Sequence, residues 1–433
     1  MLRRFVGLFM ILSLLLLGVA QVGAQDMVEL NMLGFGCRDG TPCEEIIDTF
    51  NMGPGAELGI HVTYETVPGS WQEYTQKVVS QIAAGNPPDI INMSPLQKPD
   101  YLANEFLTNL TPLMEADEVF DESQWYPPTF GAWMDEAGDV FGFGHGIYTE
   151  AVFYNKALFA AAGIEAPSLE WDNSWNWDEL ADAALQLTVG DDPATQQWGF
   201  YWQFEPGWLF PIFRAFGGDI ANADRSVITL DSEGSVAALE FLNDLMWVNG
   251  AAPPPSVTSA TSAGNLFIQG RLGMFLDGSW WLGGFQSGIE DFEWGVLPVP
   301  TGPNGTFTGY WVDAWGIPAN SSHQQEAWEV IKFLSGEEAS SHYLNYGMFG
   351  IPGFRAVTES RTDELFTPLS AEETAVWLNS TDYGATPPYT RNWNEVWDMT
   401  TGVLQRLQLQ ELTPEEAGRE ISERGTALIA QAQ

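Results

Sequence analysis

VELNMLGF at 28–35, EEIIDTF at 44–50 and HVTYETV at 61–67 follow one another closely, and their reading decides the fold. The first and third runs have the apolar content and alternation of strands, whose successive side chains point to opposite faces. The middle run sets Ile46, Ile47 and Phe50 at helical spacing. Ser70 stands three residues before Glu73, a capping box that predicts a helix with Trp71, Tyr74, Val78 and Ile82 on one face and Gly85 at its end. PPDIINM at 87–93 is a short apolar strand that delivers its C-terminal end to a loop. Strand and helix signals alternate in this way from residue 26 to the end, which predicts an α/β architecture.

The same grammar recurs at Asn176–Glu179, Ser322–Gln325 and Thr413–Glu416, each read as a helix cap. There is no internal repeat, low-complexity tract or long Gly/Ser linker, and AAPPPS at 251–256 reads as a loop. A chain of 433 residues implies two domains or more. Two lobes without a linker imply that the chain crosses between them more than once.

MLRRFVGLFMILSLLLLGVAQVGA opens with Arg3 and Arg4, continues with an apolar run, and ends in small residues. It reads as a secretory signal peptide over 1–24; the alternative, a retained anchor, has a short apolar run for a spanning helix. No cysteine follows the run closely enough for a lipoprotein signal. In an oxidising compartment Cys37 and Cys43 read as a short structural disulfide loop, since two thiols alone make an incomplete metal site. The net charge of −42 arises from 16 basic residues against 58 acidic ones. Such a field repels phosphate backbones and anionic lipid, so nucleic-acid and membrane-surface roles are not expected.

The catalytic inventory is sparse. His61, His145, His323 and His342 are scattered outside any zinc-binding spacing, and Ser279 in DGSWW lacks the glycine of a nucleophile elbow. None of the four lysines closes a phosphate-binding loop. Glu150, Glu205 and Asp277 are candidates for a glycosidase pair, but nothing in the sequence sets two of them at catalytic separation. No metal or cofactor is implied. What stands out is an aromatic surplus of 13%, with Trp202, Trp208, Trp280, Trp281, Trp311, Trp315, Trp393 and Trp397 mostly near glycine, proline or segment ends. Any one of them can be core. As a set they suit sugars, which pair an apolar C–H face with a polar rim. GRLGMFLDGSWWLGGF at 270–285 poses the question most sharply, because neighbouring indoles in a strand face opposite ways.

AVFYNKALFAAAGIEAP (151–167) and WNWDELADAALQLT (175–188) resemble the extracellular solute-binding proteins of carbohydrate ABC transporters, and Tyr-Asn-Lys at 154–156 is a specific signature. AAGNPPDIINM (83–93), NLFIQGRLGMFLDGSWW (265–281), GVLPVPTGPNG (295–305) and GIPGFRAV (350–357) agree in the same order, so the resemblance spans the mature chain. It implies two α/β lobes with a ligand cleft between them and several hinge crossings. The expected division is 25–144 with 299–335 for one lobe and 145–298 with 336–433 for the other, with GHGIYT (144–149) as the first hinge. It further implies a non-enzymatic receptor, monomeric and outside the cytoplasmic membrane, that hands a sugar or oligosaccharide to membrane permease subunits. A polyol, glycerol phosphate or cationic metabolite is the alternative solute.

Site residues follow from matching positions. Glu205 is an expected sugar-hydroxyl acceptor and Trp208 a platform, the alternative being a helix cap and a core residue. Trp280 falls at a stacking position with Trp281 as its core partner, and Trp397 falls at another. Asp277 precedes that pair. Tyr148 lines the first crossing, where maltodextrin binders have glutamate. Met93 and Ser94 stand where such binders carry an aromatic, and Trp311 and Asp313 are expected to replace those contacts. Arg355 either bonds sugar oxygens or pairs with a surface acid. The loop carrying Cys37 and Cys43 faces the cleft in relatives.

Overall fold

The computed structural model describes residues 27–35, 42–67, 71–345 and 350–431. The leader, Cys37, the side chain of Cys43 and the Ser70 cap lie outside those residues. Among them, no helix is long and apolar enough to cross a membrane.

Three strands open the sheet: β1 (Val28–Phe35), β2 (Ile60–Val67) and β3 (Ile90–Met93), with β1 parallel to both neighbours. Then come β4 (Phe143–Asn155), β5 (Trp198–Trp202), β6 (Leu272–Gly278), β7 (Trp294–Leu297) and β8 (Thr308–Gly316). The order is β2-β1-β3-β8-β4-β6-β5, with β7 also on β4. The parallel strands need helical crossovers, and the helices Pro42–Met52 and Trp71–Ala83 supply them. Tyr74, Val78 and Ile82 are buried as their spacing predicts, and Gly85 ends the turn at φ 74°.

The strand that organises everything else is β4. Its first half pairs antiparallel with β8, from Phe143 opposite Trp315 to Thr149 opposite Tyr310. Its second half pairs with β6, from Glu150 opposite Gly278 to Tyr154 opposite Met274, and with β7. One chain segment therefore belongs to both halves of the sheet. The register slips between Gly144 and Gly146, leaving His145 at the irregularity with its ring between Trp315 and Tyr343. The architecture is that of two α/β lobes joined by shared strands, as the alternating sequence predicts.

Tyr154, Asn155 and Lys156 now have physical roles. The Asn155 side chain accepts from Leu158 N at 3.1 Å and caps the helix Lys156–Ala162. Lys156 pairs with the buried Glu373 at 2.9 Å and stands 6.0 Å from the Tyr154 ring, tying this turn to the helix Ala371–Asn379. At Gly199 on β5, an added Cβ would meet Ala184 O at 1.9 Å, so only glycine lets the helix Trp177–Leu187 lie so close to the sheet. The capping boxes at Asn176–Glu179 and Thr413–Glu416 form with both reciprocal bonds. The expected cap at Ser322 does not. That helix runs Gln324–Leu334 with His323 at its N-cap, and His323 N donates instead to Ser321 Oγ at 3.1 Å.

Candidate functional site

β6 ends at Gly278, and Ser279–Trp281 is a single 3-10 turn, so the paired indoles are not on a strand. They still part company. Trp281 stacks on Phe285 at 5.4 Å and 15°, meets Phe275 edge-on at 5.8 Å, and packs with the core. Trp280 turns the other way. It meets Trp311 at 5.6 Å and 70°, Trp208 at 6.0 Å and 81°, and Tyr148 at 6.4 Å.

Four chain segments build this aromatic wall. Glu205 and Pro206 open the helix Pro206–Ala215, whose first turn carries Trp208; proline at that position forgoes a hydrogen bond it could not make anyway. Trp311 comes from β8, directly opposite Tyr148 on β4. Trp397 comes from the first turns of the helix Trp393–Gln408 and meets Trp208 at 5.7 Å and 71°. Edge-to-face geometry at these spacings is favourable. Trp208, Trp280 and Trp397 are half-buried, as is Trp281, while Trp311 is buried. Trp202, Trp315 and Trp393 are core residues, so the loop-tryptophan set divides between packing and surface.

A buried carboxylate braces the wall. Asp277 accepts from Gly278 N at 2.8 Å, Trp281 Nε1 at 2.9 Å, Trp208 Nε1 at 3.2 Å and Gln203 Nε2 at 3.2 Å. Burial pushes its carboxyl up to about 6 even so, with the four donors opposing. Glu150 is fully buried; its Oε2 accepts from Gly309 N at 3.3 Å and its Oε1 has no partner. Burial and then the nearby Asp277 raise it well above the usual carboxylate range. Glu205, at the N-cap, is raised by burial and by Asp277, with Trp397 opposing. Asp313 is pushed up to about 7 by burial. Its charge also bears on the hydroxyls of Tyr148 and Tyr389, both raised mainly by burial.

Seven of the expected residues therefore converge: Tyr148, Glu205, Trp208, Asp277, Trp280, Trp311 and Trp397, with Asp313 beside Tyr148. Three stand elsewhere. Met93 is buried beneath Gly142 and Gly316. Ser94 is buried, with its N–H donating to Gln97 Oε1 at 2.9 Å. Arg355 donates to Trp125 O at 3.2 Å and lies over the Tyr126 ring, outside the tryptophan wall. Sequence reasoning missed Gln203, Tyr310 and Tyr389, which no motif or spacing connects to the wall. Among the described residues, no group of three or more potential ligands could hold a metal.

The chain belongs to the bacterial extracellular solute-binding proteins, whose family profile matches residues 41–340. A binding protein of Brucella abortus is 24% identical over 96% of this chain and 97% of its own length. An ABC substrate-binding protein of Listeria monocytogenes, solved with cycloalternan, superposes with a TM-score of 0.82 over 94% of this chain and all of its own, at 23% identity. A maltose-bound MalE3 of T. maritima gives a TM-score of 0.75, 23% identity, and coverage of 93% and 100%. The fold is thus the two-lobed one that the sequence resemblance implies.

Proposed function

We propose that this chain is a transport receptor that binds a sugar or oligosaccharide between its lobes and hands it to membrane permease subunits. The observation that carries this reading is the wall of Trp208, Trp280 and Trp311, whose rings meet at 5.6–6.0 Å, with Trp208 and Trp280 half-buried and Trp311 buried. Indole faces take the C–H face of a sugar, and Asp313 and Glu205 offer acceptors for its hydroxyls. The relatives solved with cycloalternan and maltose support the same solute class. Asp277 is occupied by four N–H donors and Glu150 is buried in the sheet, so neither of these two candidates is free to act on a ligand.

The leader over 1–24 is proposed to direct the chain across the cytoplasmic membrane, where it works as a monomer. The lobes are proposed to meet within β4 and again between β7 and β8. A third crossing beyond Phe354 is proposed, which the packing of Glu337–Asn345 on Pro42–Met52 and Gln324–Leu334 and the bridge from Phe354 to Trp125 support. Closure buries the ligand by rotation at these crossings.

A panel of neutral and acidic mono- and oligosaccharides, polyols and quaternary amines, screened by thermal shift and tryptophan emission, tests the solute. A saturable response to a sugar supports the reading. A response to a polyol or amine with none to any sugar contradicts it.

A further inference from the structure

Four carboxyls stand at the tryptophan wall: Glu150, Glu205, Asp277 and Asp313. In a chain with 58 acidic residues their number means little, and what sets them apart is burial with open hydrogen-bonding positions. Along β8, Asp313 is two residues from Trp311 and on the same face, since strand side chains alternate. Along β4, Glu150 is likewise two residues from Tyr148, which pairs with Trp311 across the sheet. β4 and β8 run antiparallel, so the two acids bracket the Trp311–Tyr148 pair from opposite ends, about 7 Å to either side.

Glu150 sits in the floor beneath the indoles. A Cβ at Gly278, its partner on β6, would meet the Trp280 ring at 2.2 Å; one at Gly309 would meet the Trp311 ring at 2.7 Å and Glu150 Oε2 at 3.1 Å. Its Oε2 takes the single bond from Gly309 N, and its Oε1, wholly buried, takes none. Asp313, half-buried, accepts no hydrogen bond and joins no ion pair among the described residues. The basic side chains on or beside the same elements are turned elsewhere: Lys156 to Glu373, Arg214 to Asp219, Arg406 to Glu420, and Arg271 to Pro193 O. Lys98 and Arg225 line a separate cavity of about 430 Å³ with Tyr389, Asp135 and Glu136, where the two acids balance them. Among the described residues, no lysine or arginine charge acts on any of the four carboxyls, and Asp277 repels both Glu150 and Glu205.

Carboxylates withdrawn from water without a base are relieved by a cation that enters with the ligand. Indole faces favour the same charge, because the ring quadrupole attracts an ammonium within about 6 Å of the centroid. A sugar hydroxyl brings one donor, whereas an ammonium brings three and a full charge. Trp208, Trp280, Tyr148 and Asp313 are all half-buried and so offer surface to a ligand. We propose that the sugar held at this wall carries a free ammonium group, seated at the indole faces with Asp313 as its counter-ion. The ligand is then an amino sugar or a short oligosaccharide of one, and Glu150 and Asp277 add their field from beneath the rings. This rests on the sugar reading of the wall and narrows it to one class of sugar.

Calorimetric titration of the full chain at neutral pH tests it, with glucosamine, galactosamine and the di- and trisaccharides of glucosamine as ligands. Their N-acetylated forms and the matching neutral sugars are the controls, since acetylation removes the charge and keeps the ring. At least one amino sugar should bind about tenfold more tightly than its N-acetylated form. Asp313→Asn and Asp313→Ser, each checked by thermal melt, should reduce that ratio to about threefold or less in whichever stays folded. N-acetylated or neutral sugars that bind as tightly as the amines overturn the ammonium assignment while the sugar reading stands. A ratio that a folded Asp313 variant leaves intact does the same. Binding of choline with no sugar of any kind, or of no ligand in the set and no other sugar, sinks both readings together.

Discussion

The indole N–H of Trp208 donates to Asp277 Oδ1 at 3.2 Å, while Trp281 holds the other oxygen of the same carboxylate at 2.9 Å. One buried side chain thus fixes a wall tryptophan and a half-buried tryptophan packed against the core, from different elements. Asp277→Ala strands these donors and should cost about 1–3 kcal/mol in a urea titration. Asp277→Asn keeps one carbonyl oxygen but turns an amide N–H toward a donor. It should cost less stability and still weaken ligand binding, because Trp208 loses its orientation.

Gly278→Ala tests the wall from the backbone side. A Cβ there would come within 2.2–2.5 Å of the Trp280 ring and meet that ring before anything else. Trp280 is half-buried, so it can swing aside. We expect sugar affinity to fall about tenfold or more with a stability loss of about 1 kcal/mol. A large drop in melting temperature with affinity retained would place the ring in the core instead.

Asp313 supplies a pH dependence of known sign. Its carboxyl titrates near 7 in the folded chain against an ordinary value of 3.8. Between those values the folded state holds a proton that the unfolded state has released, so this group lowers stability as the pH climbs from about 4 to about 7. Asp313→Asn removes the effect. The variant should be more stable than the parent by about 1–2 kcal/mol at pH 8, allowing for its partial exposure, and the gain should vanish near pH 4. Paired thermal melts across that range measure it. If Asp313 accepts from a ligand hydroxyl, the same variant binds sugar more weakly at pH 8.

Much of the fold was legible because alternating strands and helical spacing are local signals. Asn176 and Thr413 cap their helices as read, for the same reason. Ser322 does not, because the decision is made at long range. Ser321 Oγ donates to Asp89 Oδ1 at 2.7 Å, and that bond fixes where the chain turns into the helix. The division between Trp280 and Trp281 was legible in outcome but not in cause. Strand alternation suggested it, whereas a 3-10 turn and the contact of Trp281 with Phe285 four residues on produce it. Trp202, Trp315 and Trp393 resemble the wall tryptophans in sequence context, and only tertiary packing separates them. Lys98, Arg225 and Tyr389 share a cavity across nearly three hundred residues of chain, a juxtaposition no spacing rule encodes.

The central claim is that Trp280 is a sugar platform and Trp281 an anchor beneath it. Calorimetric titration of the best-binding sugar from the panel into Trp280→Ala and Trp281→Ala, beside the parent, tests it most directly. The account predicts that Trp280→Ala loses about 1–3 kcal/mol of binding free energy, roughly tenfold to a hundredfold in affinity, while staying folded. Trp281→Ala should lose stability first, by about 3 kcal/mol or more. Parental affinity in Trp280→Ala, with the loss of binding confined to Trp281→Ala, would contradict it.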